Sequence, residues 1–186
     1  MNSLICIIAA MKEEVALIKG RMEINERLLF GPAKGFLGAW LGHKILVVQS
    51  GVGKKQARNI FDQVLCTYSP ALTISCGFAG GLNFGLKLGD ILIADKVIDI
   101  SFRENNENLG FNTQKIINSK EFFKAKSISD DFLFKVHSGS LVTSDIMICF
   151  PDKKKKLGDQ FLALGVDMET SALLEVANKK SVPLVS

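Results

Sequence analysis

Two glutamates stand among apolar residues where two predicted helices begin, an unusual place for a negative charge. At about 100° per residue, Glu14 falls inside the apolar stripe of the first helix, and Glu169 falls at the centre of the stripe of the last. The stripes consist of Met11, Val15, Leu17 and Ile18, and of Met168, Ala172, Leu173, Val176 and Ala177. Burying an ionised carboxylate is costly unless something compensates it. A basic partner or helix capping, with Asp167 placed to cap the last helix, explains each glutamate alone.

Two glycine-rich segments, Ser50–Gly53 and Cys76–Gly81, follow predicted strands. Ligands of open α/β sheets collect at the C-terminal ends of the strands, and glycine lets the backbone approach a ligand closely. Ordinary tight turns explain the same glycines. Together with the two inward-facing glutamates, the segments favour a ligand site.

Short apolar runs rich in β-branched residues alternate with helical patterns, which indicates an α/β fold with a largely parallel sheet covered on both faces. The predicted strands are Leu4–Ile8, Ile45–Val48, Leu72–Ser75, Ile91–Ile93 with Val97–Ile100, Ser140–Val142 and Val182–Val185, and the predicted helices are Met11–Gly20, Lys54–Cys66, Lys154–Phe161 and Met168–Lys180. The segment Leu28–Gly42 predicts hairpins, and Asn105–Gln114 predicts a surface loop that could act as a mobile flap. We expect a single domain over residues 1–186.

Composition and charge exclude several classes of function. The chain has 186 residues, 47% of them hydrophobic, and a net charge of +4, too small to indicate a nucleic-acid or membrane partner without a basic patch. We expect the run Lys153–Lys156 to be a solvated surface turn. No signal peptide or membrane span is predicted, so we expect a cytoplasmic protein. The four cysteines form no CxxC pair and the two histidines stand alone, which predicts no metal site.

Common nucleotide and hydrolase motifs fail on particular residues. A phosphate loop at Gly53-Lys54 would need glycine at position 48 and a hydroxyl at 55, but the residues are Val48 and Lys55. A dinucleotide fingerprint would need a glycine where the chain has Gln56. No GxSxG elbow is present, so a nucleophilic side chain has little support, and no cofactor is predicted.

The chain resembles the nucleoside phosphorylase and hydrolase family, most closely its methylthioadenosine/S-adenosylhomocysteine nucleosidase branch. The resemblance rests on IIAAMKEEVALI, SGVGKKQA, SCGFAGGLNFGLKLGDILIADKVI, LVTSDIMI and VDMETSALLEVA, which follow in this order. It implies a three-layer αβα fold with a central mixed twisted sheet, a homodimer, and cleavage of the bond between a ribose and a purine. The partner would be a small nucleoside, with water or phosphate as co-substrate.

The resemblance also assigns roles to residues. Glu14 would activate the attacking water, while Glu169 would hold the ribose hydroxyls. The remaining positions would bind substrate: Met168 against the sugar, Val52 near its far substituent, Ala79 and Gly80 through the backbone, and Met147 and Ile148 beside the purine. Carboxylates suit this chemistry, because cleavage passes through a cation-like sugar and needs a base for water.

Three departures from the branch bear on activity. Met147 stands where the branch has an aromatic ring, and Phe78 replaces a small polar residue. The branch also carries an aspartate after the last strand, followed by a C-terminal helix. The sequence ends at Ser186, so we expect the domain to lack both, and losing general-acid help costs about 100- to 10,000-fold in rate.

Two alternatives to hydrolysis stay open. A phosphorylase of the same family, which could act on a bulky adenosyl substrate such as adenosylhopane, would use phosphate, for which bidentate arginine is the usual ligand. The arginines, Arg21, Arg27, Arg58 and Arg103, all lie outside the glycine segments, which favours water. A catalytically impaired, nucleoside-binding homologue is the other alternative.

Overall fold

A computed structural model describes residues 3–83, 85–101, 110–116 and 134–186, with the backbone alone for 110–116. The chain divides into two compact units. The first contains Met1–Phe78, Ala172–Leu184 and Ser186, and the second contains Ala79–Ser171 and Val185. Both contain β-strands and helices, as the α/β prediction requires, whereas a single domain over residues 1–186 stays a prediction.

The sheet of the first unit is built around its most buried strand. Strand β1 (Leu4–Ala9) lies between β4 (His43–Gln49) and β5 (Leu72–Ser75) and pairs with both in parallel. Continuous apolar runs such as that of β1 are typical of strands covered on both faces. On the far side of β5 lies the short strand β11 (Leu184–Val185), which begins two residues later than predicted.

An antiparallel extension completes this sheet. Strands β2 (Glu23–Phe30) and β3 (Ala33–Trp40) form a hairpin, and β3 pairs antiparallel with β4. The hairpin prediction for Leu28–Gly42 is therefore confirmed, although the first strand begins earlier. The sheet order is β11-β5-β1-β4-β3-β2, so the sheet is mixed.

The helices of the first unit are α1 (Lys12–Arg21), α2 (Lys54–Thr67) and most of α4 (Thr170–Lys180). In α1, Val15 is fully buried in a core with apolar side chains from β1, β3 and β4. The prediction that Leu17 shares this stripe is wrong, because its side chain is 78% exposed. Only a narrow face of this short helix packs inward.

The second unit has its own mixed sheet, in the order β6-β10-β9-β7-β8. Its elements are β6 (Gly80–Gly81), β7 (Ile91–Ser101), β8 (Gly110–Ile116), β9 (Val136–Thr143), α3 (Pro151–Phe161) and β10 (Ala163–Asp167). Strand β9 pairs in parallel with β7 and β10, whereas β6 and β8 are antiparallel edge strands. A separate hydrophobic core includes Ile100, Val142 and Leu157.

Two sequence predictions in the second unit need correction. The predicted loop Asn105–Gln114 overlaps strand β8, which starts at Gly110; residues 105–109 lie outside the described part. The runs Ile91–Ile93 and Val97–Ile100 belong to one strand, β7, whose register shifts between Ala94 and Lys96. In the described part of the chain, we find no helix with the length and apolarity that a bilayer crossing requires.

Candidate active site

The ends of three parallel strands bring the candidate residues of the first unit to one sheet edge. Ladder hydrogen bonding continues past the strands, since Ser50 N–H donates to Ala9 O over 2.8 Å and Cys76 N–H donates to Ile8 O over 3.0 Å. The segments 10–14, 50–53 and 76–78 therefore start side by side. We call these three segments the strand-end cluster.

Glu14 is half-buried in the strand-end cluster, and both of its carboxylate oxygens accept a backbone hydrogen bond. Met11 N–H donates to Oε2 over 2.7 Å, and Phe78 N–H donates to Oε1 over 2.9 Å. The first bond caps α1, so helix capping accounts for one oxygen. The second comes from a residue 64 positions away. Charge-assisted bonds of this kind orient a carboxylate firmly.

Val52 lies between Gly51 and Gly53, whose backbone conformations are readily adopted only by glycine. Gly51 has a φ of +85° and Gly53 a φ of +96°, values that strain residues with a side chain. Gly51 N–H donates to Ala10 O over 3.0 Å, which holds this turn beside the start of α1. Val52 is 52% exposed on the turn and is therefore accessible to a ligand.

The thiol of Cys76 is influenced by Glu14. Burial, and then the negative charge of Glu14, raise the pKa of Cys76 to about 11. Cys6 is fully buried on β1, and its burial raises its pKa to about 12. Both cysteines therefore remain thiols at neutral pH and are poor nucleophiles.

In the second unit, Ala79 and Gly80 lie at the edge strand β6. Gly80 pairs with Val166 of β10, and a Cβ on Gly80 would be 3.2 Å from Val166 Cγ1 and 3.5 Å from Lys154 Nζ. The run Lys153–Lys156, predicted to be a solvated surface turn, belongs instead to helix α3. Lys154 is half-buried, while the other three lysines are exposed.

The residues predicted to flank a purine have opposite environments. Met147 is 71% exposed, whereas Ile148 is 7% exposed and packs in the hydrophobic core of the second unit. The side chain of Ile148 is thus committed to the core, and its backbone is what remains for a ligand. The flexible side chain of Met147 is free to adapt to a flat surface.

Asp167, at the end of β10, is a half-buried carboxylate for which the sequence predicts only a capping role. It does cap α4, since Thr170 N–H donates to Oδ2 over 2.9 Å and Thr170 Oγ1 donates to the same atom over 2.5 Å. Thr143 Oγ1 donates to Oδ1 over 2.7 Å and accepts from Ser171 N–H over 3.1 Å. Burial nevertheless raises the pKa of Asp167, although these hydrogen bonds act in the opposite direction.

Met168 and Glu169 occupy the two positions between β10 and α4, and both are half-buried. Helix α4 begins at Thr170, two residues later than the predicted start at Met168. Glu169 therefore precedes the helix instead of occupying the centre of its apolar face. Its Oε2 accepts a hydrogen bond from Met168 N–H over 3.3 Å.

The predicted site residues are thus divided between the units. Glu14 and Val52 belong to the strand-end cluster of the first unit. The second unit contains the others, namely Ala79, Gly80, Met147, Ile148, Met168 and Glu169. Among the described residues, His, Cys, Asp and Glu side chains form no group of three or more that could hold a metal ion.

Comparison with known proteins establishes the family. A family model described as the phosphorylase superfamily matches residues 4–186, so the chain belongs to this superfamily. The 5′-methylthioadenosine/S-adenosylhomocysteine nucleosidase of Listeria innocua is 29% identical, over 96% of this chain and 82% of the relative. The enzyme of the same name from Buchnera aphidicola is 31% identical, over 96% of this chain and 79% of the relative.

Solved structures confirm the α/β fold. The methylthioadenosine/S-adenosylhomocysteine nucleosidase of Neisseria meningitidis, in complex with methylthio-immucillin-A, matches with a TM-score of 0.87 and 22% identity, covering 98% of this chain and 83% of that one. The futalosine hydrolase of Helicobacter pylori matches with a TM-score of 0.84 and 23% identity, covering 98% and 82%. At these identities the likeness concerns the fold alone.

Proposed function

We propose that the protein hydrolyses the N-glycosidic bond of a purine nucleoside such as methylthioadenosine or S-adenosylhomocysteine and releases adenine. The observation that carries this proposal is the Glu14 carboxylate, fixed by two backbone N–H groups at the ends of parallel strands. The names of the Listeria and Buchnera relatives point to the same reaction. Both the family and the chemistry of the site therefore support an enzyme.

Glu14 is the general base of this reaction. Water gives a proton to Glu14 as its oxygen bonds to the anomeric carbon of the sugar. The glycosidic bond breaks at the same time, its electron pair leaves with the purine, and the purine takes up a proton from the solvent to become neutral adenine. Each carboxylate oxygen accepts one backbone hydrogen bond and retains a lone pair, so the carboxylate can still bind water. General-base help of this kind is worth about 100- to 10,000-fold.

Three residues are proposed to bind the sugar. Glu169 accepts hydrogen bonds from the ribose hydroxyls and stabilises the cation-like sugar of the transition state. Its half-buried position supports this role, because a carboxylate acts more strongly where less water surrounds it. Met168 packs against the sugar, and Val52, accessible on its turn, contacts the 5′ substituent.

Four residues are proposed to bind the purine. Ala79 and Gly80 present the backbone of the edge strand β6, and Ile148 likewise presents its backbone. Met147 covers the flat face of the base with its exposed thioether side chain.

The co-substrate is proposed to be water and not phosphate, because the arginine that follows the glycine turn 51–53 is paired with a carboxylate. Arg58, which follows this turn closely, pairs with Glu175 of α4. The carboxylate of Glu14 would repel an anion in the strand-end cluster. Arg58 is thus engaged by a carboxylate of its own, which favours water over phosphate as the co-substrate.

The test is a panel of nucleosides incubated with the full-length protein, with free base followed by chromatography. Methylthioadenosine, S-adenosylhomocysteine, adenosine and inosine are each compared in phosphate-free and phosphate-containing buffer. We expect adenine release that does not depend on phosphate. Release only with phosphate would indicate a phosphorylase, and nucleoside binding without release would indicate a non-catalytic homologue; either result contradicts the proposal.

The assembly and the compartment are part of the proposal. The resemblance to the nucleosidase branch supports a homodimer, and the free thiols of the four cysteines suit the reducing cytoplasm. Sedimentation of the full-length protein tests the first point, and a single monomeric species would contradict it.

A further inference from the structure

Gly77 lies against the carboxylate of Glu14 with no room for a side chain. A Cβ on Gly77 would be 2.7 Å from Glu14 Oε1, 3.1 Å from Cδ and 3.5 Å from Oε2. Non-bonded carbon and oxygen atoms do not approach to 2.7 Å without displacement. Gly77 is not one of the glycines with a positive φ, so its backbone conformation does not require glycine. Glycine is needed at this position because a side chain would have no space.

The same peptide segment supplies one of the bonds that hold the carboxylate. Phe78 N–H, directly after Gly77, donates to Oε1, and Met11 N–H donates to Oε2 from the other side. A glutamate side chain has three rotatable bonds and is normally mobile at a half-exposed position. Here two donors and a bare glycine backbone restrict it to one place.

We propose that Gly77 is a positioning residue for Glu14: its missing side chain admits the carboxylate to the end of β5, where Phe78 N–H and Met11 N–H fix both oxygens. This inference rests on the proposed function, in which Glu14 activates water. Fixing the base before substrate binds removes an ordering cost from the reaction. A methyl group at position 77 would push the carboxylate off Phe78 N–H.

The fold should tolerate this change better than the chemistry does. The clashing atoms belong to the end of a flexible side chain, so Glu14 can swing outward without moving the strands. Gly77→Ala is therefore expected to fold but to hold its base in the wrong place. A purely structural glycine would instead lose stability and leave the kinetics of the folded fraction unchanged.

The experiment compares Gly77→Ala, Glu14→Gln and the double variant, with Gly20→Ala as the matched control. Gly20 lies in the same helix as Glu14, and a Cβ on Gly20 would have no other atom within 4 Å. We expect Gly77→Ala to lower kcat for methylthioadenosine hydrolysis about 10- to 100-fold with a nearly unchanged KM. Gly20→Ala should match the parent protein.

The double variant separates positioning from structure. Gly77→Ala should cost nothing more once Glu14 is glutamine, since residues acting through one group are not additive. Full activity or additive losses would overturn the inference.

The outcomes keep the two proposals apart. If Glu14→Gln is inactive while Gly77→Ala has parent kinetics, the positioning inference is wrong and the proposed function stands. If Glu14→Gln is fully active, Glu14 is not the base and the positioning inference falls with that assignment, whereas a parent protein that releases no adenine contradicts the proposed function itself. Should Gly77→Ala fail to fold, Glu14→Asp replaces it: its shorter side chain withdraws the carboxylate from Phe78 N–H, and full kcat in that variant would equally overturn the inference.

Discussion

The hydroxyl of Thr143 donates a 2.7 Å hydrogen bond to Asp167 Oδ1, and this bond joins the end of β9 to the residues that start α4. Thr143 is fully buried and also accepts from Ser171 N–H. One side chain thus satisfies the half-buried carboxylate of Asp167 and a helix N-terminus. Met168 and Glu169, both proposed to bind the sugar, lie between these two anchored points.

We predict that Thr143→Val lowers the free energy of unfolding by about 1–3 kcal/mol, because it leaves buried polar groups without partners. Valine has almost the same shape as threonine, so packing is preserved. Urea unfolding measures the effect, with Thr143→Ser as the control that retains the hydroxyl. Equal stability of the valine and serine variants would show that the hydrogen bonds contribute nothing.

Asp167 predicts a pH dependence of stability. Because burial raises its pKa, the folded protein keeps a proton that the unfolded chain has released. The contribution of Asp167 to stability is therefore complete below the ordinary carboxyl pKa of about 3.9 and is lost as the pH rises through the raised value. Relative to Asp167→Asn, the parent protein should lose stability as the pH increases in urea-unfolding series. If the stability of the parent protein relative to Asp167→Asn stays constant or increases as the pH rises, the prediction is refuted.

The cysteines should react unequally. Cys66 and Cys149 are exposed, whereas Cys6 is buried and Cys76 is partly buried with a raised pKa. Since the thiolate is the reactive form, we predict that brief treatment with iodoacetamide at about pH 8 modifies the two exposed cysteines of the native protein. Mass spectrometry counts the adducts, and all cysteines should react after denaturation. Rapid native modification of Cys76 would contradict its partial burial and raised pKa.

Helix α1 offers a matched pair of substitutions. Val15 is fully buried and Leu17 is 78% exposed, two residues apart. Val15→Ala should cost about 2–3 kcal/mol of unfolding free energy, as removal of core methyl groups does. Leu17→Ala should change it by no more than about 0.5 kcal/mol, the usual range for surface positions. Thermal or urea unfolding of both variants measures the two changes. A larger loss of unfolding free energy for Leu17→Ala than for Val15→Ala would contradict this packing.

The strands and helices that the sequence predicts well are those whose pattern is local. β1, β5 and α2 have continuous or strongly periodic apolar residues, and their positions agree closely with the structure. The sequence does not predict β8, because Gly110–Gln114 is polar and rich in turn-forming residues. It is an edge strand, and its pairing with β7 supplies what its composition does not indicate.

At the candidate site, residue type could be predicted but hydrogen-bond partners could not. The helical period marks Glu14 as unusual, yet the donor Phe78 lies 64 residues away. The partner of Asp167, Thr143, is 24 residues distant and follows from the parallel pairing of β9 with β10. For Leu17, the helical period predicts on which face of the helix the side chain lies. It does not predict whether another element covers that face, and Leu17 is exposed.

The most direct test of the central claim compares Glu14→Gln with Glu13→Gln in phosphate-free buffer, measuring adenine released from methylthioadenosine by the full-length protein. The two residues are neighbours, but Glu13 is exposed and near Lys12, whereas Glu14 is held by two backbone donors. We predict that Glu13→Gln retains the parent rate and that Glu14→Gln loses at least about 100-fold. Equal rates for the two variants would contradict the assignment of Glu14 as the base that activates water.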